Sequence, residues 1–237
     1  MKKIFFAFCL MLAAQIVMAQ KTVNDANAQV RNLSGFHAVN VSSSFEVVLT
    51  QGSMESVAVS ANDAEDIQYI TTVVDNGVLK IGFENKKKWW PKNRKLRAYV
   101  SVKNIDKLTA SGAVKIVIDA VLTSPSLALN LSGASNLTGK INVQGKLSVD
   151  ISGASDIDLT GSAGEASVEA SGASDMSGYD FSSTTCAIDA SGASKVQLTV
   201  DKQLSAKLSG ASKVNYKGSA NITDIKTSGA SSISKKG

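Results

Sequence analysis

Seven basic residues and both tryptophans of this chain crowd into one segment, Lys86-Lys87-Lys88-Trp89-Trp90-Pro91-Lys92-Asn93-Arg94-Lys95-Leu96-Arg97. Basic side chains attract anionic surfaces and polysaccharides. Exposed indole rings stack on flat apolar faces or settle at a membrane interface. Lys86, Lys87, Lys88, Trp89, Trp90, Lys92 and Arg94 are therefore the candidate ligand-binding residues, with polysaccharide or an anionic envelope surface as the partner. The segment separates two strand-like runs, 78–83 and 96–102, and so reads as a hairpin tip. The competing reading is a solvated loop whose tryptophans fold back on the body.

Catalytic chemistry has weaker support. A glycosidase needs two carboxyl groups about 5–9.5 Å apart, and Asp156 with Asp175 or Asp158 meets that only if the chain stacks them. The lone His37 sits in a strand run, with no Gly-x-Ser-x-Gly nucleophile motif beside it. Cys186 fits an apolar slot near Ile188, which is the setting of a buried structural thiol. The sequence gives no cofactor motif and no metal motif. Ca²⁺ between stacked carboxylates is conceivable, but no Asp-rich calcium loop accompanies them.

Positioning any of these groups falls to a repeat. Ser-Gly-Ala-Ser begins at Ser132, Ser152, Ser171, Ser191, Ser209 and Ser228, preceded by the degenerate Ser111-Gly112-Ala113-Val114. Successive glycines lie 21, 20, 19, 20, 18 and 19 residues apart. A period near 20 marks a solenoid, in which each unit buries its apolar side only by stacking on its neighbours. Between corners, apolar residues alternate strictly, as in Leu147, Val149, Ile151, Ile157 and Leu159. Alternation places them on one face of a strand. Ser-Gly-Ala-Ser then forms the corner, with glycine at the tight bend. The serines bond backbone groups at that bend or along the stack.

Stacking also predicts outward columns. Two residues before each intact corner stand Asn130, Asp150, Glu169, Asp189, Lys207 and Lys226. One residue after it stand Asn136, Asp156, Asp175, Lys195, Lys213 and Ser232. The columns are acidic in the middle and basic toward the C-terminus. Asp189 with Lys207, and Asp175 with Lys195, are the expected pairs.

Upstream of the repeat, residues 31–108 are also all β, in short runs split by Gly, Asn and Asp. Asp75-Asn76-Gly77 is a strong hairpin signal. Residues 1–19 read as a cleavable signal peptide: Lys2 and Lys3, an apolar run from Ile4 to Val17, then Val17-Met18-Ala19. Residues 20–30 read as a flexible leader. Removal of the signal takes away Lys2, Lys3 and Cys9, so Cys186 cannot form an internal disulfide. It also lowers the formal net charge from +5 to +3, too mild to imply nucleic acid. No transmembrane segment is expected in the mature chain.

In its order of motifs the chain resembles the bacterial head GIN domain family of auto-transporter adhesins. The resemblance rests on residues 31–41 (Arg31 to Val41) and 45–52, Val57 to Ala61, Asn76-Gly77-Val78-Leu79-Lys80-Ile81 and the serial corners. It implies an exported, single-domain, right-handed parallel β-helix without agreed catalytic residues. The combined expectation is an all-β, right-handed parallel β-helix (β-solenoid) of about 20 residues per coil over residues 31–237. Irregular coils and a cap fill 31–108, and regular coils fill 109–237. The expected role is non-catalytic, adhesin-like binding in the cell envelope, at the periplasm, cell surface or outside the cell. The alternative is a carbohydrate-active enzyme on the same frame. An open strand edge near the C-terminus adds the expectation of an oligomer stacked end to end.

Overall fold

A computed structural model describes residues 25–84 and 94–237. The signal-peptide reading and all of the basic segment up to Asn93 lie outside the described residues. The strands run β1 Gln29–Arg31, β2 Ala38–Val41, β3 Phe45–Gln51, β4 Ser56–Ala61, β5 Ile70–Asp75, β6 Val78–Phe83, β7 Leu96–Val102, β8 Lys107–Ala110 and β9 Lys115–Ser124. They continue with β10 Leu127–Leu131, β11 Asn136–Ile151, β12 Asp156–Ala170, β13 Asp175–Ser177, β14 Phe181–Ala190, β15 Lys195–Leu208, β16 Lys213–Lys217, β17 Asn221–Thr227 and β18 Ser232–Lys235. A 3-10 turn, Ala64–Tyr69, precedes β5. The architecture is a β-solenoid of about 6 turns with ~20 residues per turn.

Every strand-to-strand pairing from β8 to β18 is parallel. The register stacks like on like. Before the corner, Leu129, Val149, Val168, Ile188 and Ala206 form one inward column. After it, Leu137, Ile157, Met176, Val196 and Val214 form another. All ten side chains are buried. Strict alternation is thus the sequence form of a shared core in which each coil supplies one layer.

The corner is held by one repeated bond. The Ala113 N–H donates to the Ser43 carbonyl, and those of Ala134, Ala154, Ala173, Ala193, Ala211 and Ala230 donate to the glycine carbonyl one coil earlier, all at 2.7–2.8 Å. The corner glycines have φ between +69° and +94°. A Cβ built on Gly172 would lie 2.5 Å from the Gly153 carbonyl oxygen. Two constraints coincide there, a left-handed backbone and no room for a side chain. The fourth residue of the motif points inward. Ser135, Ser174, Ser194 and Ser212 are buried, and each donates at 2.9 Å to the carbonyl of the first serine of its own corner. That bond satisfies the hydroxyl and closes the bend.

The N-terminal coils depart from chain order. β2 pairs with both β6 and β8, and β3 with both β7 and β9. The coil that comes first in sequence is therefore second in space, slotted between 78–102 and 107–118. Its corner is Ser42-Ser43-Ser44, with Ser43 at φ +77°. Among the described residues, antiparallel pairing is confined to the cap: β4 on β7, β1 on β4, and β5 on β6. The Asn76-Gly77 turn joins β5 to β6 as expected, with φ of 49° and 75°.

The leader reading is corrected from Asp25 onward. β1 joins the cap sheet, and the Asp25 carboxylate accepts from Ser60 Oγ at 2.6 Å and Tyr99 Oη at 2.9 Å. The Ser60 bond, with the Tyr99 bond and Arg97 adding to it, holds the Asp25 carboxyl below its ordinary range despite partial burial. Polarity misled over the described part of the leader because Asp25 and Asn27 find partners in the cap.

Cys186 is buried in the core, and desolvation pushes its thiol from 9.0 up to about 12. The unfolded chain ionises this thiol from about pH 9, the folded chain only near 12, so its contribution is constant below pH 9 and stability falls between the two. Denaturant titrations across that window should show a shallower alkaline loss for Cys186→Ala than for wild type. Gly172→Ala should cost roughly 3 kcal/mol, combining the left-handed penalty with a broken corner bond. Gly35→Ala, at φ +78° but with nothing within 4 Å of the new Cβ, should cost only about 1–2 kcal/mol. Equal losses in urea melts would refute crowding at the corner.

Candidate functional site

The two outward columns form as the repeat demands. Asn130, Asp150, Glu169, Asp189, Lys207 and Lys226 stand in register before the corner. Asn136, Asp156, Asp175, Lys195, Lys213 and Ser232 stand in register after it. Between the columns run the exposed Gly-Ala pairs. The result is a smooth ridge with charged banks, one rung every ~4.8 Å. Lys195 Nζ lies 3.7 Å from Asp175 Oδ2, with both side chains about two-fifths exposed at 41% and 39%. Asp189 and Lys207 face each other in register. An open depression of about 240 Å³ lies between Asp189, Lys207 and Lys226. A second of about 160 Å³ adjoins it over Ser167, Ala187 and Ser205. Both lie along the column before the corner, where it changes sign from Asp189 to Lys207.

Gln197 extends this face toward an aromatic. Its Nε2 donates to Tyr179 Oη at 2.9 Å, and Lys217 Nζ lies 4.8 Å from the centre of the Tyr179 ring. Sequence reasoning missed Tyr179, because it belongs to a short interruption between β13 and β14 and not to the repeat.

The carboxylates considered for catalysis stand on open sheet. Asp156 and Asp175 are register partners, yet the second is engaged by Lys195. His37 Nδ1 lies 2.9 Å from Asp106 Oδ2, with the side chains 56% and 54% exposed. Its ring packs over Gly77, where a Cβ would come 2.5 Å from His37 Nε2. Among the described residues no three His, Cys, Asp or Glu side chains gather to hold a metal. No helix among them is long and apolar enough to cross a membrane.

Of the candidate binding residues, Lys86, Lys87, Lys88, Trp89, Trp90 and Lys92 lie outside the described residues. Their flanks correct the hairpin reading. β6 pairs with β2 and β5, and β7 with β3 and β4. The two are successive sides of one coil and do not pair with each other. Alternating runs on either side of a polar stretch look the same in both cases; only the pairing tells them apart.

Arg94 is turned inward and does not present its charge to solvent. Its Nε donates to Asp66 Oδ2 at 2.7 Å and its Nη2 to Oδ1 at 3.3 Å. The side chains of the pair are only 3% and 5% exposed. The guanidinium also lies 4.4 Å over the Phe83 ring, which meets Tyr69 edge-on at 6.1 Å. This clamp ties the far flank of the basic segment to the 3-10 turn of the cap. Asp66 and Arg94 are 28 residues apart, and no local pattern signals the pairing.

The two kinds of ion pair should respond differently to substitution. Asp66→Ala strands a buried guanidinium and should cost about 3–5 kcal/mol. Asp175→Ala removes an exposed partner and should cost less than about 1 kcal/mol. Chemical denaturation of both variants measures the contrast, and equal effects would remove the clamp's structural role.

A family model described as "Putative auto-transporter adhesin, head GIN domain" matches residues 35–220. The fold is similar to that of a putative adhesin from Bacteroides fragilis NCTC 9343, at TM-score 0.81 and 18% identity over 88% of this chain and 96% of that one. A putative adhesin from Parabacteroides distasonis ATCC 8503 gives 0.68 and 18%, covering 88% and 96%. A putative lipid binding protein from the same strain gives 0.64 and 19%, covering 90% and 98%. No curated protein matches the sequence. The matched span runs from the turn before β2 to the last coil but one, through both the cap and the corner ladder, and on that ground the chain belongs to the head GIN domain family of auto-transporter adhesins.

Proposed function

We propose that this protein is an exported, non-catalytic, adhesin-like rod that contacts an anionic envelope surface, lipopolysaccharide or acidic polysaccharide, through residues 86–92. The observation that carries the reading is the composition of that segment, four lysines and both tryptophans within 86–92, between flanks that belong to the capping coil, where Phe83 ends β6 and Arg94 is clamped on Asp66. Lysines attract an anionic surface and tryptophans suit its interfacial zone. Export is supported by the lysine-led apolar pattern of residues 1–19. The description of one structural neighbour as a lipid binding protein is compatible with an envelope surface. The non-catalytic reading is supported by carboxylates that stand on open sheet, outside any cleft among the described residues.

Co-sedimentation with lipopolysaccharide-containing vesicles, beside neutral vesicles, tests the reading. Replacing Lys86, Lys87 and Lys88 with serine should weaken binding by roughly a hundredfold, since each lysine near an anionic surface contributes about 1 kcal/mol. Trp89→Ala/Trp90→Ala should weaken it further and abolish residual binding at high salt. Unchanged binding in both variants removes the segment from the function. Release of reducing ends from acidic polysaccharide would replace the binding reading with the enzymatic one.

A further inference from the structure

The two ends of the rod differ. At the N-terminal end, β4 and β5 run antiparallel along the outer edges of β7 and β6, and β1 covers β4. That end is closed. At the other end, β17 pairs only with β15 among the described residues, and all seven β17 residues are exposed. Ile222 and Ile225 continue the inward columns of Leu204 and Ala206. They are nevertheless 46% and 36% exposed. An edge with free backbone groups and uncovered isoleucines is a template for another strand.

We propose that β17 pairs with β17 of a second copy, joining two rods tail to tail about a twofold axis. A twofold axis that keeps inward side chains inward makes the two strands antiparallel, and directly opposed residues then point to the same side. The pairing must therefore be centred on a residue. Centring on Asp224 sets aspartate against aspartate, and centring on Lys226 sets lysine against lysine. Centring on Ile225 sets isoleucine against isoleucine and each Asp224 against a Lys226, within the regular stretch 224–227 that follows the bulge at Thr223. Opposite charges facing across a strand pair stabilise it and like charges do the reverse. Asp224 and Lys226 already share a side, 3.7 Å apart within one chain. The charge pattern of the strand is thus self-complementary in one register. A twofold joint uses the tail of each copy, so assembly ends at two copies and does not run on as a filament.

Sedimentation velocity and small-angle scattering over a hundredfold concentration range test this. The wild type should pass from monomer to a dimer elongated along the rod. Ile225→Lys, with an unchanged circular dichroism spectrum, should remain monomeric. Asp224→Lys should raise the dimer dissociation constant at least roughly tenfold, and Asp224→Lys/Lys226→Asp should restore it to within about threefold. A concentration-independent monomer, a dimer indifferent to Ile225→Lys, or a double swap that fails to rescue would each overturn the proposal.

Discussion

One peptide unit per coil carries the architecture. At each corner the Gly–Ala peptide gives its N–H to the coil before and offers its C=O to the coil after, so the seven bonds from Ser43 to Ala230 form one head-to-tail chain. Bonds in such a chain polarise one another. Their dipoles also add along the rod, with carbonyls facing the C-terminal coils. Lys195, Lys207, Lys213 and Lys226 gather around those coils, a placement that complements the carbonyl end. The chain survives only if every rung bends identically and lets its neighbour approach. This is why glycine recurs while the apolar residues vary freely among Leu, Val, Ile, Met and Ala. Core composition is tolerant because each layer needs only to fill its space; the Gly-Ala corners have no such latitude, and Ser43 holds the left-handed bend without glycine.

That difference explains what the sequence disclosed. The regular coils were legible because period, alternation and corner all repeat in a fixed phase, and Asp189 could be set beside Lys207 by counting alone. Ser42-Ser43-Ser44 was not legible as a corner. Without its glycine it lacks the mark, and only the Ala113 bond to Ser43 identifies it. The order of the first coils was equally hidden. Nothing local tells β2 that its neighbours are strands forty and seventy residues on. The leader misled for a related reason, since Asp25 finds Ser60 and Tyr99 only after the cap is built.

For the candidate site, residue type was legible and placement was not. Seven basic residues and two tryptophans announce themselves. Whether the runs beside them form a hairpin or successive sides of a coil depends on the partners of β6 and β7. Arg94 illustrates the limit: counted among the surface cations, it is spent inside on Asp66 and Phe83. The charged columns, by contrast, follow from arithmetic on the repeat, and the change of sign in the column before the corner coincides with the two depressions. A scaffold of this kind places surface groups at fixed intervals without shaping a cleft.

The interleaved first coil has a consequence for how the molecule comes into being. A chain that emerges from the ribosome N-terminus first presents β2 and β3 early, yet their flanking strands extend to Ile118. Until nearly half the polypeptide has emerged, those strands have nothing to zip against, so closing the cap is a late, long-range event with a high entropic threshold. The regular coils need only the rung before them and can grow one at a time as they appear. Maturation is thus split between a waiting head and a tail that builds by accretion.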